Sequence, residues 1–331
     1  MPVRLKIMLA FSCLWTALSC AADNYGSHPA ARVVVEELVQ EEGFDREELL
    51  LVFSRAQRQD SILKAIARPA EKTKPWYEYR EIFLNEKRVT QGVEFFGEHR
   101  AALARAEREF GVPAEIIVAI IGVETSYGRV AGSYRVLDAL STLAFDYPER
   151  SPFFTSELKH YLILARDQGL DPTELKGSYA GAMGYGQFMP SSYRDYAVDF
   201  DSDGVIDIWD NPVDAIGSVA NYFKRHDWRQ GERVVVAADA GSAVPRDIFV
   251  QSRADLKPEH TVAQFAAEGV VARVKLDPGM LATAMKFELE DGYEYWLGLH
   301  NFYVITRYNH SAMYAMSVYQ LSQRLAARVP R

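Results

Sequence analysis

Apolar side chains recur at intervals of three and four residues along the first part of the chain. The pattern runs from residue 30 to residue 68, is interrupted at Gly43 and stops before Pro69, which predicts amphipathic helices. It resumes in "KPWYEYREIFLNEKRVTQGVEFFGEHRAALARAEREFG", which ends at Gly111. We therefore expect an N-terminal helical region over residues 24–110.

The alternation of apolar and polar residues changes from about Arg229 onwards. The segment "ERVVVAADA" is typical of a strand, and "AMKFELEDGYEYWLGLHNFYVITRY" alternates around an Asp-Gly turn at residues 291–292. Helical spacing returns in "SAMYAMSVYQLSQRLAAR". The chain is therefore predicted to be α+β and mainly α. It has a helical core at residues 111–228 and 301–331, with a small β-rich insertion at residues 229–300.

Residues 1–20 have the pattern of a secretory signal peptide. Two basic residues precede an apolar run over residues 7–18 that is too short to span a bilayer comfortably. Both cysteines, Cys13 and Cys20, lie in or beside this segment, so no disulfide is predicted in the exported domain. Two alternatives stay open, cleavage near Ala21 or a lipid anchor at Cys20, since "ALS" before it partly matches a bacterial lipobox. We expect a periplasmic protein, which the second alternative would place at the outer membrane.

The charge of the chain narrows the range of partners. Its 331 residues carry a net charge of −8, with 48% hydrophobic and 25% charged residues, which is an ordinary globular composition. An acidic chain is poorly matched to a polyanion, so nucleic acid is not expected as a partner. The seven histidines lack the spacing of metal ligands, and no zinc site is predicted.

One carboxylate follows an almost entirely apolar segment. In "EIIVAIIGVETSYG", residues 115–128, a helix is predicted to have Pro113 in its first turn, to end at Gly128 and to leave almost no polar face before Glu124. Burial and the negative end of the helix dipole both disfavour an ionised carboxylate, so we expect the pKa of Glu124 to be raised. Such an acid suits general-acid cleavage of a glycosidic bond. The alternative is a carboxylate that simply emerges into solvent.

Two further stretches combine small, aromatic and polar residues. "GSYAGAMGYGQFMPSSY", residues 177–193, interleaves glycines with Tyr179, Tyr185 and Phe188, so backbone can approach a ligand between aromatic faces that suit sugar rings. "RYNHSAMYAMSVY", residues 307–319, places polar groups and tyrosines along the start of a helix. The alternatives are a packing turn and a set of core tyrosines.

The stretch "DFDSDGVIDIWD", residues 199–210, has the spacing of an EF-hand loop. A calcium ion would be bound by the carboxylates of Asp199, Asp201 and Asp203 and by the Val205 carbonyl, with Asp210 where a glutamate usually closes the loop. Calcium is a hard cation and a weak Lewis acid, so we expect one structural ion and no catalytic cofactor. The alternative is a solvated acidic turn.

Taken together, "VAIIGVETSYG", "GSYAGAMGYGQFMPSSY", "DAIGSVANYF" and "RYNHSAMYAMSVYQL" resemble the membrane-bound lytic murein transglycosylase B family. The resemblance spans residues 30–325 in the family's order. It implies a lysozyme-like core that acts on peptidoglycan glycan strands. The expected reaction cleaves the β-1,4 bond between N-acetylmuramic acid and N-acetylglucosamine and leaves a 1,6-anhydromuramic product.

The resemblance also implies roles for single residues. It places the catalytic acid at Glu124 and a longer calcium loop closed by Asp214 instead of Asp210. Its substrate-binding positions correspond to Ser178, Gln187, Tyr308, Asn309, Tyr314 and, on shorter matches, Tyr222 and Arg150. The "TSYG" sequence departs from the family's commoner form, which has Arg and Trp after the Thr, and this puts one subsite contact in doubt.

A single acid is compatible with this chemistry. Ordinary glycosidases use two carboxylates, whereas the substrate's own acetamido group and 6-hydroxyl can replace the second one. Glu124 would first donate a proton to the leaving oxygen and then accept one from the hydroxyl. The alternatives are a hydrolytic muramidase and a non-catalytic peptidoglycan-binding lipoprotein.

Overall fold

The computed structural model describes residues 24–67, 74–250 and 253–329. The predicted signal peptide and the predicted anchor at Cys20 lie outside the described residues. The described residues form fourteen α-helices and seven strands, and the predicted class, α+β and mainly α, is confirmed. In this part of the chain no helix is both long and apolar enough to cross a membrane.

Six helices precede the apolar helix that contains Glu124. Their bounds are α1 Pro29–Glu42, α2 Arg46–Arg55, α3 Asp60–Ile66, α4 Trp76–Tyr79, α5 Glu86–Glu98 and α6 Arg100–Phe110. The break at Gly43 was expected, and its left-handed φ of 69° ends α1. A second break, between α2 and α3, was not expected. Two side chains of a later helix, Asp138 and Thr142, accept hydrogen bonds there from the backbone N–H groups of Gln57 and Gln59.

Helix α7, Ala114–Thr125, lies in the middle of the fold, as its apolar sequence predicts. Every residue from Ile116 to Val123 is buried. The predicted ends are wrong by a few residues. Pro113 is the N-cap, and the helix ends three residues before Gly128 because Ser126 and Tyr127 adopt φ values of 53° and 63°. These left-handed residues turn the chain sharply just after Glu124.

Four further helices follow α7 in the chain. They are α8 Val136–Asp146, α9 Ser151–Asp167, α10 Pro190–Tyr196 and α11 Pro212–Arg225. Two short strands, β1 Tyr134–Arg135 and β2 Lys176–Gly177, pair antiparallel and bring the Gly-rich stretch back to the chain that leaves α7. This two-stranded sheet was not predicted, since two residues are too few to show an alternating pattern.

A five-stranded antiparallel sheet occupies part of the predicted β-rich region. Its strands are β3 Val235–Ala240, β4 His260–Thr261, β5 Val270–Ala272, β6 Leu281–Glu288 and β7 Tyr293–Gly298, in the order β4-β6-β7-β3-β5. The hairpin of β6 and β7 turns at the predicted Asp-Gly, where Gly292 has a φ of 79°. Helix α12, Val262–Ala267, packs against this sheet.

The chain then returns to the helical core through α13, His300–Tyr308, and α14, Ala312–Ala326. Helix α14 packs on α7 and α5. One hydrophobic core surrounds α7, a second lies among α1, α2, α8 and α9, and a third lies beneath the sheet. The packing of α14 on α7 brings the C-terminal motif to the end of the apolar helix.

Candidate active site

Glu124 lies at the open end of α7 and is only partly buried, although all but one of its neighbours along the helix are buried. The hydroxyl of Tyr314, on α14, donates a hydrogen bond to its Oε1 at 2.5 Å. Tyr314 itself is 3% exposed. Burial, followed by the charge of Glu124, raises the pKa of Tyr314 well above 10. The hydroxyl therefore stays protonated and holds the carboxyl in one orientation.

The residue after the acid connects α7 to the Gly-rich stretch. The hydroxyl of Thr125 is buried, donates to the carbonyl of Tyr185 at 2.9 Å and accepts the N–H of Gly128 at 2.9 Å. Sequence reasoning missed Thr125 as a positioning residue. The only indication was that a hydroxyl follows the acid at a helix end.

Three consecutive carbonyl groups of the Gly-rich stretch are fixed by side-chain donors. Gly184 accepts from Gln187 Nε2 at 3.0 Å, Tyr185 accepts from Thr125, and Gly186 accepts from the hydroxyl of Tyr308 at 2.5 Å. Donors from three separate segments therefore hold one turn of backbone beside the acid. Such a turn is rigid, which suits a site that must position a sugar.

At Gly128 an aromatic ring packs so closely on the backbone that no side chain would fit. A Cβ at Gly128 would lie 2.2 Å from the ring of Tyr185, and its φ is 81°. The ring thus packs directly on the backbone that leaves α7. This contact corresponds to the packing alternative and not to the predicted approach of backbone to a ligand.

Tyr222 and Tyr308 belong to an aromatic cluster behind the Gly-rich turn. Their rings lie 4.7 Å apart, and Tyr222 also stacks on His226 at 4.1 Å. The Tyr222 hydroxyl donates to the Arg307 carbonyl at 2.6 Å, and its side chain is 7% exposed. Burial raises the pKa of both tyrosines. The structure therefore places Tyr222 as a support of the turn, with its hydroxyl already occupied.

The other predicted substrate-binding residues differ in whether their polar groups are free to bind a ligand. The Ser178 hydroxyl accepts the N–H groups of Ala180 and Ala182, which leaves its own proton for a ligand. Asn309 follows α13 and is partly buried, and its side chain has no hydrogen-bond partner within the described part of the chain. Arg150 lies at the start of α9, where its guanidinium stacks on Phe153 at 4.2 Å. Its contacts there do not connect it to Glu124.

Sequence reasoning also missed the cation at the end of α7. Arg88, from α5, donates to the carbonyl of Gly122, and its own carbonyl accepts the hydroxyl of Tyr127. A cation at the C-terminal end of a helix is favoured by the helix dipole. Nothing in the sequence distinguishes Arg88 from the other charged positions on its amphipathic helix.

Three of the predicted metal ligands lie together. Carboxylate oxygens of Asp199, Asp201 and Asp203 lie within 4.8 Å of one another. Asp199 accepts the N–H groups of Ser202, Asp203 and Gly204, which coils the loop around it. Clustered carboxylates on a coiled loop match the hard oxygen ligands that calcium requires. The donor set therefore fits the predicted ion.

The two candidates for closing the loop occupy different positions. Asp214 is fully buried, and its two oxygens accept the N–H groups of Phe200 at 2.7 Å and Asp207 at 2.8 Å. Burial raises the pKa of Asp214. Asp210 is exposed and lies outside the group of three carboxylates. Asp214 therefore ties the two ends of the loop together, while Asp210 does not contact the cluster.

Comparison with known proteins gives consistent matches along the chain. Residues 27–323 match the sequence model of the family described as "Transglycosylase SLT domain". The membrane-bound lytic murein transglycosylase B of Escherichia coli (strain K12) is 47% identical over 316 residues, covering 92% of this chain and 85% of that protein.

Two solved structures of lytic transglycosylases are also similar to this chain. Soluble lytic transglycosylase SltB1 of Pseudomonas aeruginosa is 53% identical, with a TM-score of 0.86 over 90% of this chain and 99% of that chain. Lytic transglycosylase Slt35 of Escherichia coli, in complex with calcium, is 46% identical, with a TM-score of 0.84 over 92% of this chain and 95% of that chain.

Proposed function

The chain belongs to the transglycosylase SLT domain family, and we propose that Glu124 is the single acid with which it cleaves its substrate. The protein is a lytic transglycosylase that acts on peptidoglycan. The observation that carries the proposal is the hydrogen bond that the Tyr314 hydroxyl donates to the Glu124 carboxyl. It fixes a partly exposed carboxyl at the end of an apolar helix, beside a rigid Gly-rich turn.

The proposed reaction uses one carboxyl in two successive roles. Glu124 donates its proton to the oxygen that leaves the muramic acid carbon, so that the glycosidic bond breaks. The substrate's acetamido oxygen stabilises that carbon, and the 6-hydroxyl then attacks it while Glu124 takes the hydroxyl proton. Atoms balance without a water molecule, and the product carries a 1,6-anhydro bond.

Two side chains are suited to hold the acetamido group. The Asn309 amide is unoccupied within the described structure and offers both a donor and an acceptor. Ser178 retains a hydroxyl proton because its oxygen accepts backbone N–H groups. Orientation of that group would favour its participation at the anomeric carbon.

Product analysis tests the reaction. Purified enzyme is incubated with isolated sacculi, and the released muropeptides are measured by mass spectrometry. We expect species that are one water lighter than hydrolysis products and have no reducing end. Products with a reducing end would identify a hydrolytic muramidase instead. Binding to sacculi without release of any muropeptide would identify a non-catalytic binder.

We further propose one structural calcium ion in the loop of residues 199–214. Asp199, Asp201 and Asp203 would bind it, with the Val205 carbonyl as a backbone ligand and either Asp210 or Asp214 closing the loop. The calcium complex of the related Slt35 and the clustering of three carboxylates support this site. The ion would stabilise the loop that follows the Gly-rich stretch and would take no part in the proton transfers.

The proposed location is the periplasm, with a lipid anchor at Cys20 directed to the outer membrane. The related Escherichia coli protein is described as membrane-bound, and Cys20 is followed by Ala instead of Asp. Replacing Cys20 by alanine should release the protein from the membrane fraction of cells into the soluble periplasm. An identical soluble distribution of the wild type and the C20A variant would exclude the anchor.

A further inference from the structure

Tyr127, three residues after Glu124, belongs to the "TSYG" sequence and has no part in the proposed reaction. Its side chain is 4% exposed and is therefore packed inside the protein. Its φ is 63° and that of Ser126 is 53°, and such left-handed values are unfavourable for residues with a Cβ. Among the described residues, these two are the only consecutive non-glycine residues with positive φ. Strain of this kind persists only where surrounding contacts enforce it, and it is concentrated at functional sites.

Two glycines make room for the Tyr127 ring between two helices. A Cβ at Gly92, on α5, would lie 2.3 Å from the Tyr127 hydroxyl, and a Cβ at Gly122, on α7, would lie 2.6 Å from it. The ring of Phe95, also on α5, lies 5.6 Å from the Tyr127 ring. The Tyr127 ring is therefore enclosed between α5 and the last turn of α7. Because this packing leaves no room for a shift, the ring sets the spacing of the two helices.

Hydrogen bonds connect the same two helices. The Tyr127 hydroxyl donates to the carbonyl of Arg88, on α5, at 2.9 Å, and the Arg88 guanidinium donates to the carbonyl of Gly122. That carbonyl belongs to the last turn of α7 and also accepts the N–H of Ser126 at 3.1 Å. Burial raises the pKa of Tyr127, so its hydroxyl stays protonated and remains a donor at neutral pH. Each side chain of the pair therefore holds the backbone of the other segment.

The charge of Arg88 is directed at the end of α7. Arg88 is partly buried, and among the described residues it has no salt bridge. A cation in this place offsets the partial negative charge of the C-terminal end of the helix. Glu124 lies two residues beyond Gly122, in the same turn. Arg88 therefore acts on the turn that carries the carboxyl.

We propose that Arg88 and Tyr127 are a pair of positioning residues that hold the last turn of α7, and with it the carboxyl of Glu124, against α5. This inference rests on the proposed function, since it requires Glu124 to be the acid. Tyr314 orients the carboxyl from α14, and Thr125 ties the helix end to the Gly-rich turn. Both contacts need the last turn of α7 to stay in place, and the pair supplies that fixed position.

The alternative is that Tyr127 only stabilises the hydrophobic core. Both alternatives predict that loss of the hydroxyl lowers the free energy of unfolding, but only positioning predicts slower turnover at saturating substrate. Glu124 acts in both proton transfers, so a displaced carboxyl lowers kcat. The sugar-binding residues of the Gly-rich stretch are untouched, so KM is retained.

The kinetics of single and double variants on soluble glycan strands test the pair. Tyr127→Phe keeps the ring and removes the hydroxyl, and we expect kcat to fall about fivefold with KM unchanged. Arg88→Met removes both the charge and the donor, so kcat should fall by more than about tenfold. Arg88→Lys restores a cation with a donor and should recover most of kcat. The double variant Arg88→Met/Tyr127→Phe should match Arg88→Met alone, because the hydroxyl acts only by holding Arg88.

Matched controls separate positioning from stability. Tyr161→Phe also removes a buried hydroxyl that donates to a backbone carbonyl, that of Pro172 at 2.7 Å. It should lower stability in urea as Tyr127→Phe does, but it should leave kcat unchanged. Lys87→Met removes an exposed cation from α5 and should also leave kcat unchanged. Wild-type kcat in Tyr127→Phe and Arg88→Met, a rise in KM alone, or losses that multiply in the double variant would overturn the proposal.

Hydrogen exchange gives a readout that does not depend on glycan cleavage. The backbone N–H groups of residues 122–128 should exchange faster in Arg88→Met than in Lys87→Met, while those of α9 exchange equally in both. Equal exchange in residues 122–128 would also overturn the proposal. Near-normal turnover in Glu124→Gln would instead refute the proposed function, and the difference in exchange would still show that the pair holds the end of α7.

Discussion

The hydroxyl of Tyr314 and the carboxyl of Glu124 are separated by 190 positions in the sequence and by 2.5 Å in the structure. Glu124 lies at the end of α7, the most apolar helix among the described residues. Tyr314 is buried on α14, which packs against α7. Burial keeps the Tyr314 hydroxyl protonated around neutral pH. It can therefore donate its hydrogen bond to Glu124 throughout that pH range. In the proposed mechanism, this pair defines where the reacting bond lies.

Replacing the acid tests the centre of the mechanism. Glu124→Gln keeps the size of the side chain but can neither give nor take a proton, so turnover should fall by at least about 10². The fold should persist, since Tyr314 can still donate to the amide oxygen. Release of muropeptides from sacculi measures the effect. Glu115→Gln, on the same helix, should retain normal activity, and near-normal activity of Glu124→Gln would exclude the assignment.

Removing the tyrosine hydroxyl tests its role in positioning. Tyr314→Phe deletes the donor to Glu124, and a hydrogen bond to the carboxylate that forms as Glu124 gives up its proton contributes about 1.5–3 kcal/mol. We expect kcat to fall about tenfold with KM little changed, because the carboxyl loses its fixed orientation. The control is Tyr319→Phe on the same helix. Equal kcat values for the two variants and the wild type would show that the contact is only structural.

The glycine after α7 offers a matched pair of substitutions. Gly43 and Gly128 both have left-handed φ values, but a Cβ at Gly43 meets nothing within 4 Å whereas one at Gly128 meets Tyr185. Gly43→Ala should cost about 1 kcal/mol of unfolding free energy from backbone strain alone. Gly128→Ala should cost about 2–4 kcal/mol and should also lower activity. Equal losses in chemical denaturation would indicate that the ring contact is unimportant.

Calcium should raise stability through the acidic loop. At a calcium concentration of about 100 times Kd, mass action stabilises the folded state by about 2.7 kcal/mol, so thermal melts should shift upwards by roughly 3–5 °C. Asp199→Asn should abolish the shift, whereas the exposed Asp195→Asn on α10 should keep it. A wild-type melt that does not respond to calcium would exclude the site. Asp210→Asn and Asp214→Asn, compared in the same titration, decide which residue closes the loop.

A half-buried histidine, His226, predicts how stability depends on pH. Burial lowers the pKa of His226 below 6.5, so the unfolded chain binds the proton more readily than the folded one. Its contribution is fully present above about pH 6.5, the unfolded pKa, and is lost as the pH falls towards the folded pKa. His226→Gln should therefore flatten the decline in melting temperature between pH 7.5 and pH 5.5. Some slope should remain, because burial also lowers the pKa of His99 and His310.

The control for this experiment is the exposed His260→Gln on β4. This variant should keep the wild-type slope. A slope that is the same in His226→Gln and in the wild type would contradict the prediction.

The sequence alone determined the features that depend on neighbouring residues. The apolar run from Ile116 to Val123 predicted a central helix, since that segment has no polar face to present to water. The Asp-Gly pair fixed the turn between β6 and β7, and the spacing of three aspartates brought their carboxylates together. Each of these outcomes follows from backbone geometry over fewer than about a dozen residues.

Tertiary structure decided what distant segments do to one another. No local pattern indicates that Tyr314 donates to Glu124, that Thr125 and Tyr308 fix successive carbonyls of the Gly-rich turn, or that Asp214 binds both ends of the acidic loop. These contacts depend on how helices and strands pack. Periodicity fixes which face of an element is buried, but it does not fix which partner that face meets.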